Sequence, residues 1–93
     1  MIVSLEECKK HLKIDSDDDD TVVERCMNAG MSMVKSMLRV DDFTTFNKVE
    51  KDQIRNAIYY AASYLYDFRE NKDSTMLDLN LRGMLNTIRD IKF

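Results

Sequence analysis

Ninety-three residues with a formal net charge of −3 fit a single folded domain and leave no room for a second core. Hydrophobic residues make up 44% and charged residues 33% of the chain, which is too apolar for a disordered segment, and the acidic balance argues against binding DNA through its phosphates. Proline is absent and glycine occurs twice, so turn-rich β architectures lack their punctuation and long helices meet few breakers.

No apolar run approaches the roughly 20 residues that cross a bilayer. The opening Met1-Ile2-Val3-Ser4-Leu5-Glu6-Glu7 lacks the basic and hydrophobic regions of a secretory signal, so a cytosol-like compartment is expected. Cys8 and Cys26 stand far apart, and His11 is the single histidine, which is not the spacing of a metal site. Both cysteines fall on apolar stripes and read as small hydrophobes.

The first helix signal is Ser4-x-x-Glu7, a capping box in which the hydroxyl and the carboxylate each satisfy a backbone N–H of the opening turn. Val3 and Cys8 occupy the positions of a hydrophobic staple. Leu5, Cys8 and Leu12 form a short apolar stripe, Ile14 continues beyond it, and the helix is expected to run to about Leu12.

Asp15-Ser16-Asp17-Asp18-Asp19-Asp20 follows and has two readings. Asp15, Asp17 and Asp19 match the alternating ligands that open an EF-hand loop, but Asp20 stands where that loop needs glycine and Cys26 where it needs the bidentate glutamate. The other reading is a helix start, with Asp or Ser at the cap and acids in a first turn whose dipole favours them.

A helix from about Asp18 to Arg39 places Val22, Cys26, Met33 and Met37 on one line. Val23, Met27, Gly30, Val34 and Leu38 form the line beside it, and Glu24, Asn28, Ser32, Lys35 and Arg39 lie opposite,. Val40 to Lys48 has no helical period and reads as a connector pinned by Phe43 and Phe46. Asn47 followed by Glu50 caps a third helix, roughly Val49 to Glu70. Its core face is Ile54, Ala57, Ile58, Ala61, Leu65 and Phe68, and Asp52, Asn56, Ser63, Asp67 and Glu70 mark its wet side,. After a polar break at Asn71 to Ser74, the tail from Met76 to Phe93 carries Leu77, Leu81, Met84, Leu85, Ile88 and Ile91 near helical spacing, with Gly83 blurring where that helix begins,. The expected architecture is all-α: a bundle of about four helices over residues 1–93, with two long central helices packed antiparallel and short N- and C-terminal helices.

No nucleophile–base pair surrounds His11, which reads as a surface residue, and no glycine-rich phosphate loop exists. No catalytic residue, cofactor or metal ligand is assigned. The third helix carries Tyr59, Tyr60, Tyr64 and Tyr66, and one core stripe hides only some of them. Tyr59 and Tyr66 share one flank, Tyr60 and Tyr64 the other. They read either as partly buried rings with wet hydroxyls or as a protein interface, where tyrosine and methionine are enriched. Met27, Met33 and Met37 are assigned to the core face.

The segment from Ser4 through His11-Leu12-Lys13-Ile14-Asp15, with its acidic cap, resembles the opening of the small phage head–tail connector proteins, or DNA-packaging adaptors. Ile54-Arg55-Asn56-Ala57-Ile58-Tyr59-Tyr60-Ala61-Ala62-Ser63-Tyr64-Leu65-Tyr66-Asp67-Phe68-Arg69-Glu70 is similar to that family's long helix, which ends in tyrosine, two residues, arginine and glutamate. Met84-Leu85-Asn86-Thr87-Ile88-Arg89 is similar to its closing motif. The chain departs from the pattern at Val40, where the family often has glycine after the second helix, and in having no proline before the last.

This resemblance implies a non-enzymatic virion protein at the head–tail junction, made in the bacterial host cytoplasm from a phage or a resident prophage. It implies a ring of copies below the portal protein that extends the DNA channel and docks head-closure or tail proteins. DNA would only pass through, with no sequence-specific binding and no membrane partner. The interface residues expected on this reading are Tyr59, Tyr60, Tyr64, Tyr66, Arg69, Arg89, Ile91 and Phe93. The alternative is a small helical regulatory module that binds a partner helix in a Met-rich groove.

Overall fold

Four helices in chain order, α1 (Leu5–Leu12), α2 (Asp20–Leu38), α3 (Lys48–Asp67) and α4 (Thr75–Lys92), form the architecture. The computed structural model describes residues 2–67 and 75–92, apart from the side chains of residues 87 and 89–92. Among the described residues there is no strand, and no helix is long and apolar enough to cross a membrane.

At the start of α1, Ser4 has an extended backbone, and its Oγ accepts from the Glu7 N–H at 3.2 Å. The expected return bond from the Glu7 carboxylate is replaced. The Ser4 N–H donates to the Tyr59 hydroxyl at 3.1 Å, so half of the capping box is supplied by another helix. Val3 and Cys8, the staple positions, are both buried. α1 and α2 end alike: Lys13 (φ 60°) and Arg39 (φ 58°) adopt the left-handed conformation. The next N–H then folds back, from Ile14 to the Lys9 carbonyl at 3.0 Å and from Val40 to the Lys35 carbonyl at 3.1 Å. This motif satisfies carbonyls that a helix end leaves open. The left-handed residue after α2 is thus Arg39, one position before Val40.

Asp19 is the N-cap of α2, yet its side chain makes no cap bond. Along α2 the line Val23, Met27, Gly30, Val34 and Leu38 is buried together with Cys26, whereas Val22, Met33 and Met37 are only half-buried. The core therefore sits on one of the two expected lines, and Met33 and Met37 belong to its rim. Phe43 and Phe46 pin the connector, both buried with centroids 6.4 Å apart. The cap of α3 is complete: the Glu50 N–H donates to Asn47 Oδ1 at 2.8 Å and the Asn47 N–H to Glu50 Oε1 at 3.0 Å. This reciprocal bonding is why Glu50 is tolerated as a buried polar side chain,.

α2 and α3 run antiparallel. Asp19 at the start of α2 meets Tyr66 near the end of α3, Gly30 at mid-helix meets Ala61, and Lys35 lies with Lys51 and Arg55 around one groove. A Cβ at Gly30 would stand 3.0 Å from the Ala61 Cβ and 3.1 Å from the Ile58 carbonyl oxygen, so a methyl group at this crossing would force the two helices to give. α3 buries Ile54, Ala57, Ile58, Ala61 and Ala62 as well as Tyr59, while Leu65 is half-buried and Phe68 lies outside the described residues.

α4 has 18 residues against 19 in α2 and 20 in α3, so the C-terminal helix is longer than the short one expected. Leu77, Leu81, Leu85 and Ile88 are fully buried along one row and hold it to the bundle. Gly83 faces open space, where it costs the helix about 1 kcal/mol without breaking it. Met84, expected in the core, is 39% exposed. It follows Leu81 by three residues but lies on the outer edge of that row.

Two predictions follow from this packing. Gly30→Ala lowers the unfolding free energy by about 1–2 kcal/mol despite alanine's better helix propensity, because the added carbon meets backbone. Gly83→Ala raises it by about 0.5–1 kcal/mol; urea titration of both variants checks the opposite signs. The second concerns Cys8, where burial, with Cys26 adding to it, pushes the thiol up to about 11. A folded thiol raised above its unfolded value leaves stability intact at neutral pH and loses it as pH rises past the ordinary thiol range of about 8.5. Thermal unfolding followed at increasing pH shows this loss in the wild type, and Cys8→Ala reduces it.

Candidate interaction surface

The tyrosines of α3 divide by what their hydroxyls touch. Tyr59 is 2% exposed, accepts from the Ser4 N–H, and stacks on the exposed His11 ring at 4.5 Å between centroids. Tyr59, one of the residues expected at an interface, is thus buried within the protomer, its ring lying between α1 and α3. Tyr60 is half-buried and its hydroxyl accepts from Asn80 Nδ2 of α4 at 2.7 Å. Tyr66 is half-buried and donates to Asp19 Oδ2 at 2.5 Å. Tyr64 is half-buried as well. The Tyr59, Tyr60 and Tyr66 hydroxyls each tie α3 to a different element, so these three rings act as internal struts. Arg69 and Phe93 lie outside the described residues, as do the side chains of Arg89 and Ile91.

The acidic run between α1 and α2 is held by Lys9. Its ammonium is 2.8 Å from both Asp17 Oδ1 and Asp20 Oδ1, which raises the Lys9 pKa above the usual lysine range through those hydrogen bonds. The same ammonium, by hydrogen bond first and charge second, holds the Asp17 carboxyl below the usual carboxylate range. Among the described residues Asp20 Oδ1 is a buried oxygen whose charge is met by the Lys9 ammonium. With Asp19 taken by Tyr66, the helix-start reading describes this segment, stabilised by a cation from α1 in place of a cap bond. Asp15 and Asp18 point to solvent.

Sequence reasoning missed the largest exposed apolar side chains. Met76 and Leu79, each 58% exposed, stand on the outer face of α4 with Met84 at 39%. Gly83 lies on the same face with nothing within 4 Å of its Cβ position. At helical spacing Leu79 and Gly83 lie opposite the buried row of Leu77, Leu81 and Leu85, with Met76 beside them and Met84 at the edge next to Leu77,. The signal was present in the sequence as apolar residues that fall off the buried row. Val49, 67% exposed, is a separate apolar point at the first turn of α3. Single exposed apolar residues are ordinary, whereas apolar side chains gathered on one helix face make that face the candidate interaction surface.

A test separates strut from interface in Tyr59. Tyr59→Phe leaves the Ser4 N–H without its partner and lowers stability by about 1 kcal/mol. The same change leaves self-association unaltered in sedimentation, since the ring reaches no surface.

Comparison with curated proteins and with solved structures returns no match. A family model, described as phage gp6-like head-tail connector protein, matches residues 2–91. That match takes in α1 to α3, the acidic run and all of α4 but its last residue, and on it the chain belongs to the phage gp6-like head-tail connector proteins.

Proposed function

We propose that copies of this chain assemble into a ring below the portal protein, where they extend the DNA channel and present a docking surface to head-closure or tail proteins. Family membership supports a structural place at the head–tail junction. The observation that carries the ring is the outer stripe of α4, Met76, Leu79, Gly83 and Met84. A chain this short conceals only about 60–65% of its unfolded surface, and an apolar stripe left on a well-packed helix gains free energy when a neighbour covers it. A ring needs two different faces on each subunit, one meeting the other on the next copy.

The charge supports the channel. A net charge of −3 disfavours phosphate contacts, so DNA passes without being retained. The chemistry of the molecule is that of a surface: the role asks nothing of a nucleophile, a metal or a cofactor.

Sedimentation equilibrium at rising concentration, with and without purified portal protein, tests this reading. The wild type is expected to associate reversibly or to bind portal, and Leu79→Asp is expected to weaken that association at least about tenfold, because it puts a charge into a desolvated contact. Since Leu79 is exposed in the protomer, the variant keeps its helical circular dichroism. A wild type that stays monomeric at every concentration and ignores portal overturns the proposal.

A further inference from the structure

At the other end of α2 from the acidic run lies a groove of about 480 Å³. Its wall brings together Lys35 from α2, Lys51 and Arg55 from α3, and Asp42 and Phe43 from the connector. Three cations thus face one carboxylate in a protein whose net charge is −3. The lone carboxylate is held ionised: Asp42 Oδ1 accepts from the Thr44 N–H at 3.0 Å and its hydroxyl at 2.8 Å. These bonds, with a smaller contribution from the Lys35 charge, hold it below the usual carboxylate range, so it answers part of the charge of Lys35 and none of that of Lys51. Arg55 is fixed by Asp52 Oδ1 at 2.6 Å and by the Ile2 carbonyl at 2.9 Å. The Lys35 ammonium stands 5.7 Å over the Phe43 ring. Lys51 is half-buried and has no ion-pair partner among the described residues, so the groove presents an unanswered positive charge.

The complementary feature is the acidic turn. Lys9 answers Asp17 and Asp20, and Tyr66 answers Asp19, which leaves Asp15 and Asp18 exposed and without partners among the described residues. The turn precedes Asp20, the first residue of α2, and Lys35 is in its last turn. Those residues are about 22 Å apart along the helix axis at 1.5 Å per residue. A copy's own turn therefore does not reach its own groove, and the groove of a neighbour is the surface that can take it.

We propose that the basic groove of Lys35, Lys51 and Arg55 receives the acidic turn, through Asp15 and Asp18, of a second copy of this chain. Donor and acceptor sit at opposite ends of one protomer, so the contact is head-to-tail, the kind that propagates around a ring. Charge pairs of this sort set register and speed association more than they add affinity. The proposal rests on the ring reading and supplies the faces that the apolar stripe alone does not orient.

Two charge-reversed proteins test it, Lys35→Glu/Lys51→Glu and Asp15→Lys/Asp18→Lys, measured by sedimentation at low and high salt. All four positions are exposed or half-buried, and circular dichroism monitors folding. Each variant alone is expected to lose self-association at least about tenfold, and the wild type is expected to weaken with salt as Debye screening shortens. The equimolar mixture decides, because the reversed groove then matches the reversed turn and association returns. Wild-type assembly that neither variant weakens, or a mixture that does not recover, overturns the docking while leaving the ring intact. Variants that assemble normally but lose portal or DNA binding assign the groove to those partners and overturn it too. A wild type that neither associates nor binds portal removes the ring reading and this contact with it.

Discussion

The approach of α2 to α3 at Gly30 fixes how the other two helices are held. With the Ala61 Cβ and the Ile58 carbonyl at 3.0 and 3.1 Å from where a Cβ would be, the two long helices meet with small residues on both sides, Gly30 against Ala61 and Ala62. A close crossing of this kind trades side-chain volume for backbone contact. It leaves the flanks of α3 free to take α1 on one side and α4 on the other, which explains why the buried face of α3 is wider than a single stripe. The smallest principal extent of the protein is 19 Å, about two helix diameters, so no residue is far from the surface.

In so thin a bundle, tyrosine is the side chain that suits the seams. Its ring adds apolar area beside the alanines, and its hydroxyl reaches a polar group at the edge. Tyr59 reaches the first turn of α1, Tyr60 reaches Asn80 on α4, and Tyr66 reaches the cap of α2. Each of these bonds also solves a local problem. The Ser4 N–H is an orphan donor of a helix start, and Asp19 is a carboxylate inside a dense acidic run, where a hydroxyl donor and the Lys9 ammonium relieve repulsion.

What could be read in advance followed from local physics. The number of helices, the end of α1 at Leu12, the pinned connector and the reciprocal Asn47–Glu50 cap are all written within a few residues of one another. The tyrosine partners were illegible because they are separated by 55, 47 and 20 residues, and nothing in a helical period says which seam a ring will enter. The length of α4 was obscured by Gly83, whose cost is small when the opposite row of leucines carries the packing. The groove was invisible for a different reason: its cations come from two helices and gain meaning only when the antiparallel pair sets Lys35 beside Lys51. Membership in the connector family was legible from the order of weak motifs across the chain. The expectation of an aromatic interface assumed that a small bundle leaves its tyrosines uncovered; the fold turns Tyr59 inward, keeps Tyr60, Tyr64 and Tyr66 half-buried, and leaves Met76 and Leu79 outside.

That displacement changes how assembly would be controlled. Aromatic anchors in a desolvated patch bind strongly pair by pair, and such protomers would polymerise as soon as they were made. On the proposed reading, a narrow stripe of methionine and leucine combined with a charge contact would give weaker pairwise affinity that is screened by salt. Weak contacts become decisive when a template holds several copies side by side, because each further contact is then intramolecular and its effective concentration is high. On the head-to-tail reading, a circular partner such as the portal would supply that template, and closing the ring would satisfy every groove and every acidic turn at once. An open chain leaves one of each unsatisfied, so closure is favoured over continued growth wherever the geometry of the partner sets the rotation between neighbours.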